Sequence, residues 1–476
     1  MPRRGFLSCA RSIVKQFLPY GVESAYIKKR YGQATYFDRI AEGESRGQFV
    51  RIVRWILPYG LVSLRDRLAY RVPSPEKQRA EFPRIAEKIR ARQASGWKIR
   101  VLYMVSDASM FAARPLFEAM AKSTVYEPRI VVIPDFRHGE RNAVRNMERC
   151  EESLARIIPE DRLVKVRPGA DGDWPDVLGE ADMVCYPTPH DCSFWRYSIR
   201  ASADRDVLPI HVNYGFYRSV YDRSIMSGEN YARFWRVFFE CEETMSEYAE
   251  HSILRGANAV LTGYVKMDSL ASARPVKRSR KRILVALHHS VEGGKNERLL
   301  LANIARYAGF FMKMPDRWPE IDFVFRPHPF LAETLAQPCI WGARRTEEYF
   351  AALRLKPNVI WSECGDPFAE FAESDGCIQD CGSFLVEYLY TGKPCCYMLK
   401  SPADIDGKFA PLGRKCLGQC YVAYDTDAID SFIRDVVAGG NDPKAQSRAA
   451  LARSVMINYP HAAEAALEAM KGIPVP

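Results

Sequence analysis

The apolar positions of this 476-residue chain change their pattern about one fifth of the way along. From Lys98 onward, short continuous apolar runs alternate with longer stretches whose apolar residues recur every three or four positions, the pattern of buried strands and amphipathic helices. Residues 99–105 predict a strand, followed by a loop at Ser106-Asp107-Ala108-Ser109, a helix over 111–121 and a strand over 128–133. Further strands are predicted at 162–166, 182–186, 208–212 and 259–261. No Gly or Pro falls between Gly228 and Gly256, so residues 231–254 read as one or two aromatic-rich helices. A second series begins with a strand at 282–288 and a helix over 295–312. It continues with strands ending at Arg326, over 359–361, before Asp380 and over 395–399, and closes with helices over 446–457 and 462–471. Strand and helix alternating twice over predict an α/β protein. Its expected parts are two Rossmann-like doubly wound domains, 97–272 and 273–476, preceded by a basic helical segment, 1–96.

Composition narrows the class. With 47% apolar and 26% charged residues the chain is globular, and its length predicts two or three domains. No run of about 18 apolar residues occurs, so no spanning helix is expected. The short apolar stretches after Arg3-Arg4 do not make a secretory signal. Thirteen cysteines, some adjacent as in Cys395-Cys396, read as reduced thiols of a cytoplasmic protein. Cys416 and Cys420 have the spacing of half a metal site, but no second pair follows, and both read as small buried residues.

Charge is placed unevenly. Residues 1–100 hold 22 Lys or Arg against 8 Asp or Glu, so the net charge of +10 comes wholly from the first fifth of the chain. That segment contains a repeat, Phe17-Leu18-Pro19-Tyr20-Gly21 and Ile56-Leu57-Pro58-Tyr59-Gly60, each between apolar-basic halves. Each unit reads as a kinked amphipathic hairpin, with Lys28, Lys29, Arg30, Arg65 and Arg67 on one face and Phe17, Tyr20, Trp55, Ile56 and Leu57 on the other. Basic residues beside aromatics suit an anionic membrane surface; helices packed on the catalytic domains are the alternative. No nucleic-acid motif accompanies them, so nucleic acid is not an expected partner. Residues 72–97 read as a linker and a connecting helix.

Candidate chemistry lies in the second series. Arg326 and His328, in Phe325-Arg326-Pro327-His328-Pro329, follow one predicted strand, and Asp380, Gly382, Ser383 and Glu387 join another to a helix. α/β sheets bind ligands at the carboxyl ends of their strands. A guanidinium, an imidazole and the N–H groups of a helix start suit diphosphate oxygens, so a nucleotide-linked donor is expected. Plainer readings stand beside these. Ser383 is also a usual N-cap, Glu387 a ribose contact or a surface salt bridge, Asp380 a residue that orders its loop, and Arg326 the partner of a buried carboxylate. Of His288 and His289, adjacent on a strand and facing opposite ways, one is expected to line the cleft. Asp171-Gly172-Asp173 and Asp425-Thr426-Asp427 mimic a metal-binding Asp-x-Asp but read as turns. No metal and no cofactor is expected.

Together with Gly392-Lys393-Pro394 and, upstream, Gly263-Tyr264-Val265-Lys266-Met267-Asp268, these motifs resemble the CDP-glycerol glycerophosphotransferase family, the teichoic-acid polymerase and primase type. The resemblance covers roughly residues 97–440 and extends loosely to an acidic loop at Asp404 and Asp406. It implies a GT-B fold, two Rossmann-like domains facing a cleft, with a CDP-polyol held by the C-terminal domain and a lipid-linked or polysaccharide acceptor. It implies that His328 contacts the donor pyrophosphate and assists proton transfer, and that Arg326, Asp380, Gly382, Ser383 and Glu387 belong to the donor site. Lys266 and Asp268 are weaker candidates. In the first domain the chain departs from the family: the segment Ile210-His211-Val212-Asn213-Tyr214-Gly215 carries Tyr214 where the family has its catalytic histidine. His211, on the opposite strand face from Tyr214, and His190, at the end of another strand, are the remaining candidates for the base, and each also reads as structural. The expected function is transfer of a polyol-phosphate unit in cell-envelope polymer synthesis, by a cytoplasmic protein held at the inner face of the membrane. Two alternatives remain: a GT-B sugar-nucleotide glycosyltransferase of capsule or envelope polysaccharide synthesis, and a non-catalytic GT-B scaffold.

Overall fold

The computed structural model describes residues 73–135, 140–169, 174–190, 194–217, 219–276, 278–292, 300–362 and 367–471, and in addition Ile56, Leu57 and Leu61. The basic repeat, apart from those three residues, lies outside the described residues, as do Asp171 and Asp173.

The described strands form two parallel sheets. The first contains β1 (Ile99–Val105), β2 (Tyr126–Val132), β3 (Leu163–Lys165), β4 (Met183–Tyr186), β5 (Leu208–Val212), β6 (Arg236–Phe239) and β7 (Ala259–Leu261), in the order β3-β2-β1-β4-β5-β6-β7. The second contains β8 (Lys281–Leu287), β9 (Ile321–Pro327), β10 (Val359–Trp361), β11 (Gly376–Gln379), β12 (Cys395–Met398) and β13 (Tyr421–Ala423), in the order β10-β9-β8-β11-β12-β13. Helices cover both faces of such sheets, so their strands are apolar along their whole length. Thus Ile283 through Leu287 are all buried, and β5 is buried throughout despite carrying Pro209 and His211.

Two elements differ from expectation. The stretch 231–254 is not continuous helix: β6 runs through it, flanked by helices Glu229–Arg233 and Glu242–His251. Val237, Phe238 and Phe239 lie at most 3% exposed between β5 and β7, and this enclosure decides in favour of strand where the absence of Gly and Pro suggested helix. β13, three residues long, was not foreseen. The helix expected over 295–312 is described over Ile304–Arg317.

The helix Pro75–Ala94, expected as a connector, packs into the first core. Ser74 caps it through a bond from the Lys77 N–H, Pro75 takes its first turn, and Gln78, Phe82, Ile85, Ala86 and Ile89 form its buried stripe. The fully buried Arg233 guanidinium anchors its start, donating to the Pro73 carbonyl and to Gln78 Oε1, each at 3.0 Å.

Two crossings join the halves. The chain leaves the first sheet at Thr262-Gly263 and returns through residues 456–461 to a last helix, Ala462–Lys471. Its Ala462, Ala466 and Met470 belong to the first core. The crossings touch. Asn458 donates to the Thr262 carbonyl at 3.2 Å, and a Cβ on Gly263 would lie 2.0 Å from the Ile457 carbonyl oxygen. With φ at +87° as well, only glycine fits at that position. Asp268 then caps the last helix, accepting the N–H groups of Ala462 (3.2 Å) and Ala463 (2.7 Å).

Candidate functional site

In the second sheet the strand order reverses between β8 and β11, where loops diverge and leave a crevice. Asp380 frames that crevice from beneath. Fully buried, it accepts the His288 N–H at 2.7 Å on one oxygen, and on the other the Asn303 N–H at 2.6 Å and side-chain amide at 3.3 Å. Burial pushes its pKa up to about 7 against the pull of these donors. It ties the ends of β8 and β11 to the start of the Ile304–Arg317 helix, which is the loop-ordering role that was its plainer reading.

His328 lies on the rim. Its N–H donates to the Leu287 carbonyl at 2.8 Å, and its Nδ1 accepts the Phe330 N–H at 3.2 Å. A nitrogen that accepts carries no proton, so the neutral ring holds its proton on Nε2. Burial first, then the neighbouring His289, press its pKa down to about 3. At physiological pH the ring is therefore a neutral N–H donor. Arg326, two residues earlier, is engaged: Nη1 donates at 2.9 Å to both Ser362 Oγ and Glu370 Oε1. Of its two expected readings, this geometry is the ion pair with a largely buried carboxylate. Gly382 and Ser383 open the short helix Phe384–Glu387, in which the Leu385 N–H donates to the Gly382 carbonyl at 3.2 Å and the Val386 and Glu387 N–H groups to the Ser383 carbonyl at 3.1 and 3.0 Å. Ser383 occupies the N-cap position of this helix, as one reading expected, but makes no side-chain capping bond.

The first sheet supplies the opposite rim. Tyr214 follows β5, with its N–H on the Pro187 carbonyl at 3.0 Å, and the residue is 41% exposed. A Cβ on Gly215 would lie 3.7 Å from Ser383 Cβ, so the two loops meet across the cleft. His190 is exposed at the end of β4. His211 is not in the cleft. Its Nδ1 lies 2.8 Å from the Tyr186 carbonyl oxygen, its ring stacks on Phe234 at 5.1 Å, and burial lowers its pKa to about 4. Pointing to the other face of β5 from the Tyr214 loop, it is a core histidine.

Glu387 turns inward at the junction of the halves. Its Oε1 accepts Lys266 Nζ at 2.8 Å and lies 3.0 Å from Tyr264 Oη, while Oε2 is buried without a partner among the described residues. The pair with Lys266 is buried, which corrects the reading as a surface salt bridge. Tyr264 Oη also lies 3.0 Å from the Tyr214 carbonyl, linking this junction to the cleft loop. Nearby Glu240, which the sequence reading missed, is 1% exposed and accepts from Thr244 Oγ1 at 3.0 Å and Asn213 Nδ2 at 3.4 Å.

Burial pushes the Glu240 pKa from its ordinary 4.5 up to about 7. A carboxyl that holds its proton more tightly when folded favours the fold most below pH 4.5, and that contribution is lost as pH rises through 7. Glu240→Gln, which stays neutral, should therefore gain on wild type in melting temperature between pH 5 and pH 8. A difference that stays constant over that range would contradict the assignment.

Among the described residues no group of three His, Cys, Asp or Glu side chains is placed to hold a metal ion. Asp425 instead caps a helix, accepting the Ala428 N–H at 2.8 Å, and Cys416 and Cys420 are buried free thiols. No helix among the described residues is long and apolar enough to cross a membrane.

Two parallel sheets with alternating helices, their strand-end loops meeting across a cleft, define an α/β protein of GT-B-like fold. Among solved structures, the chain is similar to the wall teichoic acid polymerase TagF, in a variant soaked with CDPG. The TM-score is 0.51 and the identity 11%, over 86% of this chain and 96% of that one. It also matches UDP-GlcNAc 2-epimerase from Neisseria meningitidis bound to UDP-GlcNAc, with a TM-score of 0.46 and 14% identity, over 79% of this chain and 100% of that one. No family model matches the sequence, and no curated protein matches it.

Proposed function

We propose that this protein is a GT-B transferase that moves a polyol-phosphate unit from a CDP-linked donor to a hydroxyl of a lipid-linked or polysaccharide acceptor in cell-envelope polymer synthesis. The observation that carries this reading is His328, a neutral imidazole fixed as an N–H donor on the same crevice rim as the Ser383 helix start. Such donors suit a diphosphate that gains charge as it departs. The likeness to a polymerase of wall teichoic acid supports the same direction.

In this mechanism the acceptor oxygen attacks the donor's β-phosphorus. The bond from that phosphorus to the bridging oxygen breaks, and CMP leaves with the electron pair. His328 Nε2–H and the N–H groups at Ser383 and Phe384 receive the departing charge. The acceptor proton passes to a base on the opposite rim, where Tyr214 and His190 are the candidates. The basic segment, residues 1–72, would hold the protein at the anionic inner face of the membrane, where a lipid-linked acceptor lies. Tyr214 at the position of the family's histidine favours a second reading, a sugar-nucleotide glycosyltransferase in which attack falls on the anomeric carbon.

The test is nucleotide release from CDP-glycerol, CDP-ribitol and a set of UDP- and GDP-sugars, with membrane extract as acceptor. CMP from a CDP-polyol is the expected product. UDP or GDP would move the protein to the glycosyltransferases, and absence of both turnover and nucleotide binding would leave the scaffold reading.

A further inference from the structure

The carboxyl ends of β8 and β9 bring three imidazoles together. The His289 ring packs 4.0 Å from that of His328, with 32° between their planes, and 4.5 Å from that of His288. Main-chain N–H groups two residues on hold both outer rings in one tautomer: Ser290 N–H donates to His288 Nδ1 at 3.1 Å, as Phe330 N–H does to His328. His289 has no such partner. Its Nδ1 is enclosed and makes no hydrogen bond among the described residues. A phenyl ring would fill this place without burying an unpaired nitrogen, so packing alone does not account for an imidazole. With Nδ1 shut in, the nitrogen that can serve a ligand is Nε2. Arg326, the expected phosphate ligand on this rim, is meanwhile paired with Glu370.

We propose that His289 is a second imidazole ligand of the donor's diphosphate, donating from Nε2–H beside His328 Nε2–H. This deepens the proposed function and rests on its nucleotide-donor reading. Two neutral N–H donors side by side bind phosphoryl oxygens without adding buried positive charge, and they need no reorganisation as charge moves to the leaving group.

The discriminating variant is His289→Phe, which keeps a ring against His328 and removes the N–H. Binding of CDP, UDP and inorganic pyrophosphate would be measured by calorimetry on the full chain, with His251→Phe, on a helix of the first domain, as control. The proposal expects at least tenfold weaker binding in His289→Phe, with melting temperature and control unchanged. Wild type that binds a nucleotide diphosphate no more tightly than His289→Phe does would overturn the His289 assignment and leave the donor reading intact. Wild type that binds none of the three probes would overturn both. Should the variant fold poorly, imidazole nitrogen resonances of the wild type decide. A His289 Nε2 shift on adding pyrophosphate supports the proposal, and an unmoved resonance while His328 shifts refutes it.

Discussion

Replacing His328 with alanine is expected to cut donor turnover by about a hundred- to ten-thousand-fold, the range for losing a positioned proton donor or an oxyanion ligand. The fold should survive, because the ring lies on the rim and the substitution leaves only the Phe330 N–H to find water. On the proposed reading the role lost is that of a neutral donor: Nδ1 accepts the Phe330 N–H, and burial and the neighbouring His289 lower the ring's pKa to about 3. Two consequences follow from that protonation state. His328→Gln, which keeps an N–H donor at the end of a longer chain, should recover part of the rate lost in alanine. The pH profile of turnover should show no limb belonging to this ring between pH 5 and pH 8. A limb near pH 6.5 that disappears in His328→Ala would instead show that the ring exchanges a proton, and the departing charge would need another ligand.

The strands of this protein were legible because parallel sheets covered on both faces leave continuous apolar runs. β5, β7 and β10 fall on their expected residues. The misses have separate causes. β6 lies in a stretch free of Gly and Pro that reads as helix, and β13 is three residues long, too short for a period to appear; in both, the neighbouring strands decide. At the site, the sequence pointed to strand-end loops but not to the partners of their side chains. Arg326 was marked as a donor ligand from its place at a strand end, Glu387 from its place one turn into the next helix, and Asp380 from the family resemblance. Their partners, Glu370, the main chain at His288 and Asn303, and Lys266, come from 44 to 121 residues away and carry no local signal. His211 was kept as a candidate base although alternation already placed its ring opposite Tyr214, and that face is core. The contribution of His289 was partly visible. Adjacent histidines must face opposite ways on a regular strand, yet β8 ends at Leu287, and beyond it the chain turns so that both rings approach His328.

Lys266→Met is expected to destabilise the chain by about 3–5 kcal/mol, the cost of breaking a buried ion pair from one side. Glu387 is 0% and Lys266 14% exposed in side chain, so removing the ammonium leaves a carboxylate enclosed with one oxygen already unpartnered among the described residues. Tyr264 Oη, 3.0 Å from Oε1, stays as a donor, which keeps the loss near the lower end of that range. The double variant Lys266→Met/Glu387→Leu removes both charges and should regain most of the stability, since desolvating two charges offsets much of what their attraction contributes. Urea titrations followed by tryptophan fluorescence would read all three. A single variant within about 1 kcal/mol of wild type, the typical worth of an exposed pair, would mean that water reaches this junction. Because Tyr264 joins Glu387 to the Tyr214 carbonyl, a loosened junction should also free the Tyr214 loop from the Ser383 loop it meets. The single variant is then expected to lose turnover beyond its loss of folded protein, and the double variant to recover stability before it recovers rate.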